Sequence, residues 1–111
     1  MTEITIEPAT GTIVARAGGA VIAESTNALV LRESGYDPVF YFPRTDAIAF
    51  CDPSEKRSHC PHKGDACYCH VITKSGPIQD AAWSYETPLN GVSQIAGHIA
   101  FGHEKVAVEP L

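Results

Sequence analysis

Thr12-Ile-Val-Ala-Arg-Ala17-Gly18-Gly19-Ala20-Val-Ile-Ala-Glu24 is the stretch that decides the fold. Two β-prone runs, Thr12 to Ala17 and Ala20 to Glu24, flank a pair of glycines that can take the positive φ angles of a tight hairpin turn. The same grammar repeats along the chain. Glu3 to Glu7 alternates apolar and polar residues, as a half-buried strand does, and Pro8 stops it. Ala28 to Arg32 is apolar again, and the turn formers Ser34-Gly35-Tyr36-Asp37-Pro38 then reverse the chain. Val39-Phe40-Tyr41-Phe42, closed by Pro43, reads as a central strand covered on both faces.

Beyond it, Arg44-Thr45-Asp46 is a polar corner, and Asp52 to Arg57 reads as a charged, proline-interrupted surface loop. Ala66 to Thr73 and Ile78 to Glu86 are expected to pair through a turn at Lys74-Ser75-Gly76-Pro77. A turn of helix fits Val92 to Ile95, and Gly97 to Phe101 with Lys105 to Val108 read as a closing hairpin around Gly102-His103-Glu104. Nearly every apolar segment is short and bounded by Gly or Pro. The expectation is a mainly β chain, residues 1–111 as a single domain, with at most one or two short helices.

Composition narrows the function. A chain of 111 residues is long enough to bury roughly two thirds of its unfolded surface without staples. Its 8 basic and 13 acidic residues leave a net charge of −5, which speaks against gripping nucleic-acid phosphates or anionic lipid. No apolar run reaches membrane-span length and the start has no basic region before an apolar core, so a cytoplasmic location is expected. The expected partner is a small molecule; oligomeric state is not readable.

Ser58 to His70 gathers the chemistry, with three of the four cysteines and three of the five histidines. Cysteines are sparse for a secreted disulfide framework, so reduced thiols are expected. Cys67 and Cys69 alternate onto one strand face about 7 Å apart, a poor geometry for a disulfide. The ligand-type residues Cys60, Cys67 and Cys69, with His59, His62 and His70, contain no Cys-x-x-Cys knuckle, and neither metal nor cofactor is expected. Cys60, next to Pro61 and near Lys63 and two histidines, is the candidate nucleophile, with simple packing as the alternative.

Trp83 and Tyr85 share a face by the period-two rule and form either a pocket wall or a core pair. Tyr41, Arg44, Lys63, Tyr68 and His98 complete the candidate ligand-binding set. Arg44 either pairs with Asp46 or presents its fork to an anion, and His98 faces a pocket or a neighbouring strand. The leading reading is a binding domain for a small planar or partly anionic ligand. A thiol-dependent, redox-type enzyme using Cys60 is the second, and a structural or protein-interaction domain is the third.

Several motifs in order resemble one bacterial family, the domain of unknown function 427. They are Tyr41-Phe42-Pro43-Arg44-x-Asp46, Pro53-Ser54, Cys60-Pro61-x-Lys63-Gly64, Ala81-Ala82-Trp83-x-Tyr85 and Ile95-Ala96-Gly97-x-x-Ala100-Phe101. The resemblance implies a β-tent-like architecture, two antiparallel sheets meeting at an angle with a pocket between them, similar in fold to methionine-R-sulfoxide reductases and the thalidomide-binding domain of cereblon. Shared fold does not carry activity across. The family also carries a nucleotidyltransferase-type label, yet Lys63-Gly64 lacks the upstream glycine and downstream Ser/Thr of a phosphate-binding loop. Cys67 and Cys69 depart from the family pattern.

Overall fold

The structure, a computed structural model, describes residues 3–111. The chain is mainly β, as its pattern predicts, and the described residues hold ten strands in three antiparallel sheets where the family resemblance implies two. One three-stranded sheet has the order β1 (Ile4–Pro8), β4 (Leu29–Glu33), β5 (Val39–Tyr41). A second runs β10 (Val106–Pro110), β2 (Ile13–Ala17), β3 (Ala20–Ser25). The four-stranded sheet is β6 (Cys51–Cys60), β7 (Gly64–Thr73), β8 (Gly76–Ser84), β9 (Ala100–Phe101). Among the described residues, helix is confined to short 3-10 segments at Arg44–Asp46, Ile48–Phe50 and Asn90–Ile95. None is long and apolar enough to cross a membrane.

The glycine hairpin forms as its residues dictate. Gly18 and Gly19 take φ of 59° and 78°, the left-handed pair that a two-residue turn between twisted strands requires. β5 is an edge strand of its sheet and not the central strand expected, but its buried end separates two cores. Tyr41 packs with Leu31, Tyr85 and Ile95 on one side, and Phe42 with Ile13, Val71 and Phe101 on the other. Alternation places these adjacent rings on opposite faces. Phe42 also exchanges backbone hydrogen bonds of 2.8 and 2.9 Å with Ile99, which ties the first sheet to the segment entering β9.

Three further expectations are corrected. Asp52 to Arg57 is not a loop but part of β6, paired to β7 at Asp52–His70, Pro53–Cys69 and Arg57–Cys67, with a register slip between Pro53 and Arg57. Pro53 lacks an N–H, and the ladder is interrupted there rather than ended. A matching irregularity interrupts β7 and β8 between Cys69 and Val71. The two are clasped together: Ser54 Oγ donates to Asp80 Oδ1 at 2.5 Å, and the Asp80 N–H donates to His70 Nδ1 at 3.1 Å. Asp80 holds φ at 53°, the left-handed region where a non-glycine residue is strained.

The closing hairpin is the second correction. β9 pairs with β8, whereas β10 crosses to β2, running from Val106 opposite Ala17 to Pro110 opposite Ile13. The turn itself exists, through a His103–Val106 bridge, but it hands the chain from one sheet to another because the inner edge of β2 needs a partner. The third is smaller. Gly76 and Pro77 belong to β8, opposite Thr73 and Ile72, and only Lys74-Ser75 makes the turn.

Candidate functional site

A cavity of about 510 Å3 opens between the β1-β4-β5 sheet and the four-stranded sheet. Leu31, Glu33, Val39 and Tyr41 supply one wall; Tyr68, Trp83 and Tyr85 supply the other. Cys60 to Lys63 closes one end.

Each side chain arrives there for a local reason. β6 ends at Cys60, and Pro61 to Lys63 turns the chain, with the Lys63 N–H donating to the Cys60 carbonyl at 3.1 Å. Gly64, at φ 114°, then re-enters the sheet as the first residue of β7. The Lys63 carbonyl accepts from Leu89 N–H at 2.9 Å, which anchors this loop to the segment after Tyr85. Tyr68 and Trp83 stand opposite one another in the β7–β8 ladder, with ring centroids 6.3 Å apart and planes tilted by 45°. Trp83 Nε1 donates a long hydrogen bond of 3.4 Å to the Tyr41 hydroxyl across the cavity. Tyr85 lies one residue beyond the end of β8 and still faces the same space.

Lys63 is the ionic centre. Its Nζ lies 3.1 Å from Glu33 Oε1 and 3.5 Å from Cys60 Sγ, and the Lys63 and Glu33 side chains are only 13% and 9% exposed. Burial opposes the ammonium charge, but the Glu33 hydrogen bond and the surrounding Cys60 and Tyr85 outweigh it and raise the lysine above its ordinary value. Tyr41 and Tyr85 are both raised above their ordinary values. Burial raises Tyr41, although its bond from Trp83 works the other way, and burial with Tyr41 as neighbour pushes Tyr85 up to about 12. The cavity thus offers phenol hydroxyls and one ammonium as donors, against the carboxylates of Glu33 and Asp37.

Six of the residues singled out in the sequence meet here: Tyr41, Cys60, Lys63, Tyr68, Trp83 and Tyr85. Arg44 and His98 do not. Arg44 lines a second cavity of about 190 Å3, and its Nη1 reaches Glu86 Oε2 at 3.3 Å rather than Asp46. His98 is half-buried, its Nδ1 3.1 Å from the Ala96 carbonyl oxygen, and it borders neither cavity. Glu33, Tyr36 and Asp37 were not foreseen. Tyr36 and Asp37 sit in the Ser34 to Pro38 turn, whose composition signals a reversal and nothing more; Glu33 finds its lysine thirty residues away.

The cysteines are all free. Among the described residues no three His, Cys, Asp or Glu side chains converge as a metal site would need. His59 is drawn off to Asp65, its Nδ1 2.7 Å from Oδ1 on the exposed surface.

Comparison with curated proteins finds no match. A family model does match, that of the domain of unknown function DUF427, over residues 5–110. The match takes in every strand of the cavity walls, and the chain belongs to the DUF427 family.

Proposed function

We propose that this domain binds a small planar molecule with a hydrogen-bond-accepting or anionic edge, in the cavity between the two sheets. The observation that carries the reading is the convergence of Tyr41, Tyr68, Trp83 and Tyr85 on a cavity of about 510 Å3 with Lys63 at its end. That volume falls in the range of small-ligand sites, and aromatic walls with a few fixed polar groups are their usual lining. Flat rings offer large contact area at low entropic cost. Lys63 is held ready by Glu33, so a ligand carboxylate or carbonyl meets a positioned donor. The acidic net charge supports a partner that is neither nucleic acid nor anionic membrane. Four unpaired cysteines fit a reducing, cytoplasmic setting.

A thermal-shift screen of nucleobases, aromatic acids and related planar metabolites tests the reading. A ligand at a hundred times its Kd adds about 2.7 kcal/mol of stability, a shift that is easily seen. At least one such class should raise the midpoint of the wild type, and Lys63→Met should weaken that response. A wild type indifferent to the entire panel contradicts it.

One observation favours the thiol-dependent alternative: Lys63 Nζ donates to Cys60 Sγ at 3.5 Å inside the same cavity. On that reading Cys60 is alkylated at neutral pH far faster than Cys67, and Lys63→Met removes the difference. Equal, slow labelling leaves Cys60 a packing residue.

A further inference from the structure

The face of the four-stranded sheet opposite the aromatic cavity carries three thiols, and two of them are partners. Cys51 pairs in register with Val71, and Cys69 lies two residues before Val71. Alternation therefore puts Cys51 and Cys69 on one face as diagonal neighbours across adjacent strands. Both side chains pack against the same buried core. Both border the cavity of about 190 Å3 that also holds Arg44, Arg57 and Cys67. Cys51 Sγ further approaches the Ala47 carbonyl at 3.8 Å, which gives its S–H an acceptor.

We propose that Cys51 and Cys69 form a redox-active dithiol, which oxidants of the peroxide class convert into an intramolecular disulfide. The roles follow from the surroundings. The neighbouring Cys69 thiol holds Cys51 below its ordinary value despite burial, and Arg44 adds to that effect; the proximity of Cys51 together with burial pushes Cys69 upward. Cys51 is then the attacking thiolate and Cys69 the resolving thiol. In the first step the Cys51 thiolate attacks one peroxide oxygen, the O–O bond breaks, hydroxide leaves, and Cys51 becomes a sulfenic acid. In the second, Cys69 sulfur attacks the Cys51 sulfur, the S–O bond breaks, and the departing hydroxide takes the Cys69 proton as water. The net change is two thiols and one peroxide to one disulfide and two waters.

The backbone permits the closure. A diagonal pair starts slightly wide of disulfide spacing, so one strand must move inward. Cys51 is the first residue of β6, directly after the 3-10 segment Ile48–Phe50, and the β6 ladder slips just beyond Pro53. Cys67 is a poor competitor. It points parallel to Cys69 along the same strand, and its β6 partner is Arg57.

The test uses the full chain. Wild-type protein is treated with hydrogen peroxide, the remaining thiols are alkylated, and disulfide-linked peptides are mapped by mass spectrometry. The expected product joins Cys51 to Cys69 within one chain and is reversed by dithiothreitol. In parallel, Cys69→Ser is treated with peroxide in the presence of dimedone, and the sulfenic acid adduct should accumulate on Cys51 at least tenfold over the other thiols. A link from Cys69 to Cys67, four thiols that stay free, or adducts spread evenly over the cysteines would overturn the proposal.

Discussion

Replacing Gly102 by Ala is expected to disturb the binding wall without touching it. A Cβ built on Gly102 would sit 2.4 Å from Trp83 Cζ3 and 2.7 Å from Cη2. Carbon atoms in contact settle near 3.5–4.0 Å, so the indole must retreat by roughly 1 Å or the strand must shift. The strand resists, because the Gly102 N–H donates to the Ala81 carbonyl at 2.8 Å. The ring is rigid and is held on its other side by Tyr68 and Tyr41. Overpacking of this kind costs about 1–3 kcal/mol. In a domain of this size that lowers the melting midpoint by roughly 4 °C or more per kcal/mol. Gly102 does not use a left-handed backbone, so the loss would be steric alone. Trp83 is the single tryptophan, so its emission reports the displacement directly. Urea titration followed by circular dichroism and tryptophan fluorescence is the assay. A variant within about 0.5 kcal/mol of wild type, the range of an ordinary surface change, with unaltered emission would refute the packing argument.

Three further outcomes are expected. Glu33→Gln leaves the Lys63 ammonium unpaired and should cost about 2 kcal/mol in urea titration, discounted from the 3–5 of a fully buried pair because Lys63 opens on a cavity. The double variant Glu33→Leu with Lys63→Met should be more stable than either single replacement, and a purely additive result would deny the pairing. Tyr85, Tyr41 and Lys63 are all raised in the folded state, so the unfolded chain releases their protons first. Stability should therefore fall as pH climbs from the ordinary phenol value of 10.0 towards about 12, with a shallower decline in Tyr85→Phe. Asp80→Ala keeps the left-handed strain while losing the Ser54 bond, at about 1–2 kcal/mol, whereas Asp80→Gly relieves the strain and should lie closer to wild type.

Strands with local logic were legible from residues alone. Gly18-Gly19 needed positive φ and took it, and Trp83 and Tyr85 border one cavity. What escaped was decided by distant partners. Asp52 to Arg57 looks like a loop because its charges and Pro53 hide a strand whose irregularity is held by Ser54 reaching Asp80. Gly102 reads as a turn residue, yet its missing side chain makes room for Trp83. Lys63 stands out in the sequence, but nothing local points to Glu33, which pairs with its ammonium. Arg44 turned to Glu86 for the same reason, since the segment after Tyr85 folds back beside it.

The most direct test of a ligand-binding cavity is Trp83→Ala, read for stability and for ligand response in the same preparation. Trp83 is half-buried, so its loss should cost about 2 kcal/mol, short of the 3–5 for a fully enclosed tryptophan, while abolishing any thermal shift that planar ligands give the wild type. A loss of the full 3–5 kcal/mol, together with a wild type that no planar ligand shifts, would make the aromatic cluster simply core and contradict the account.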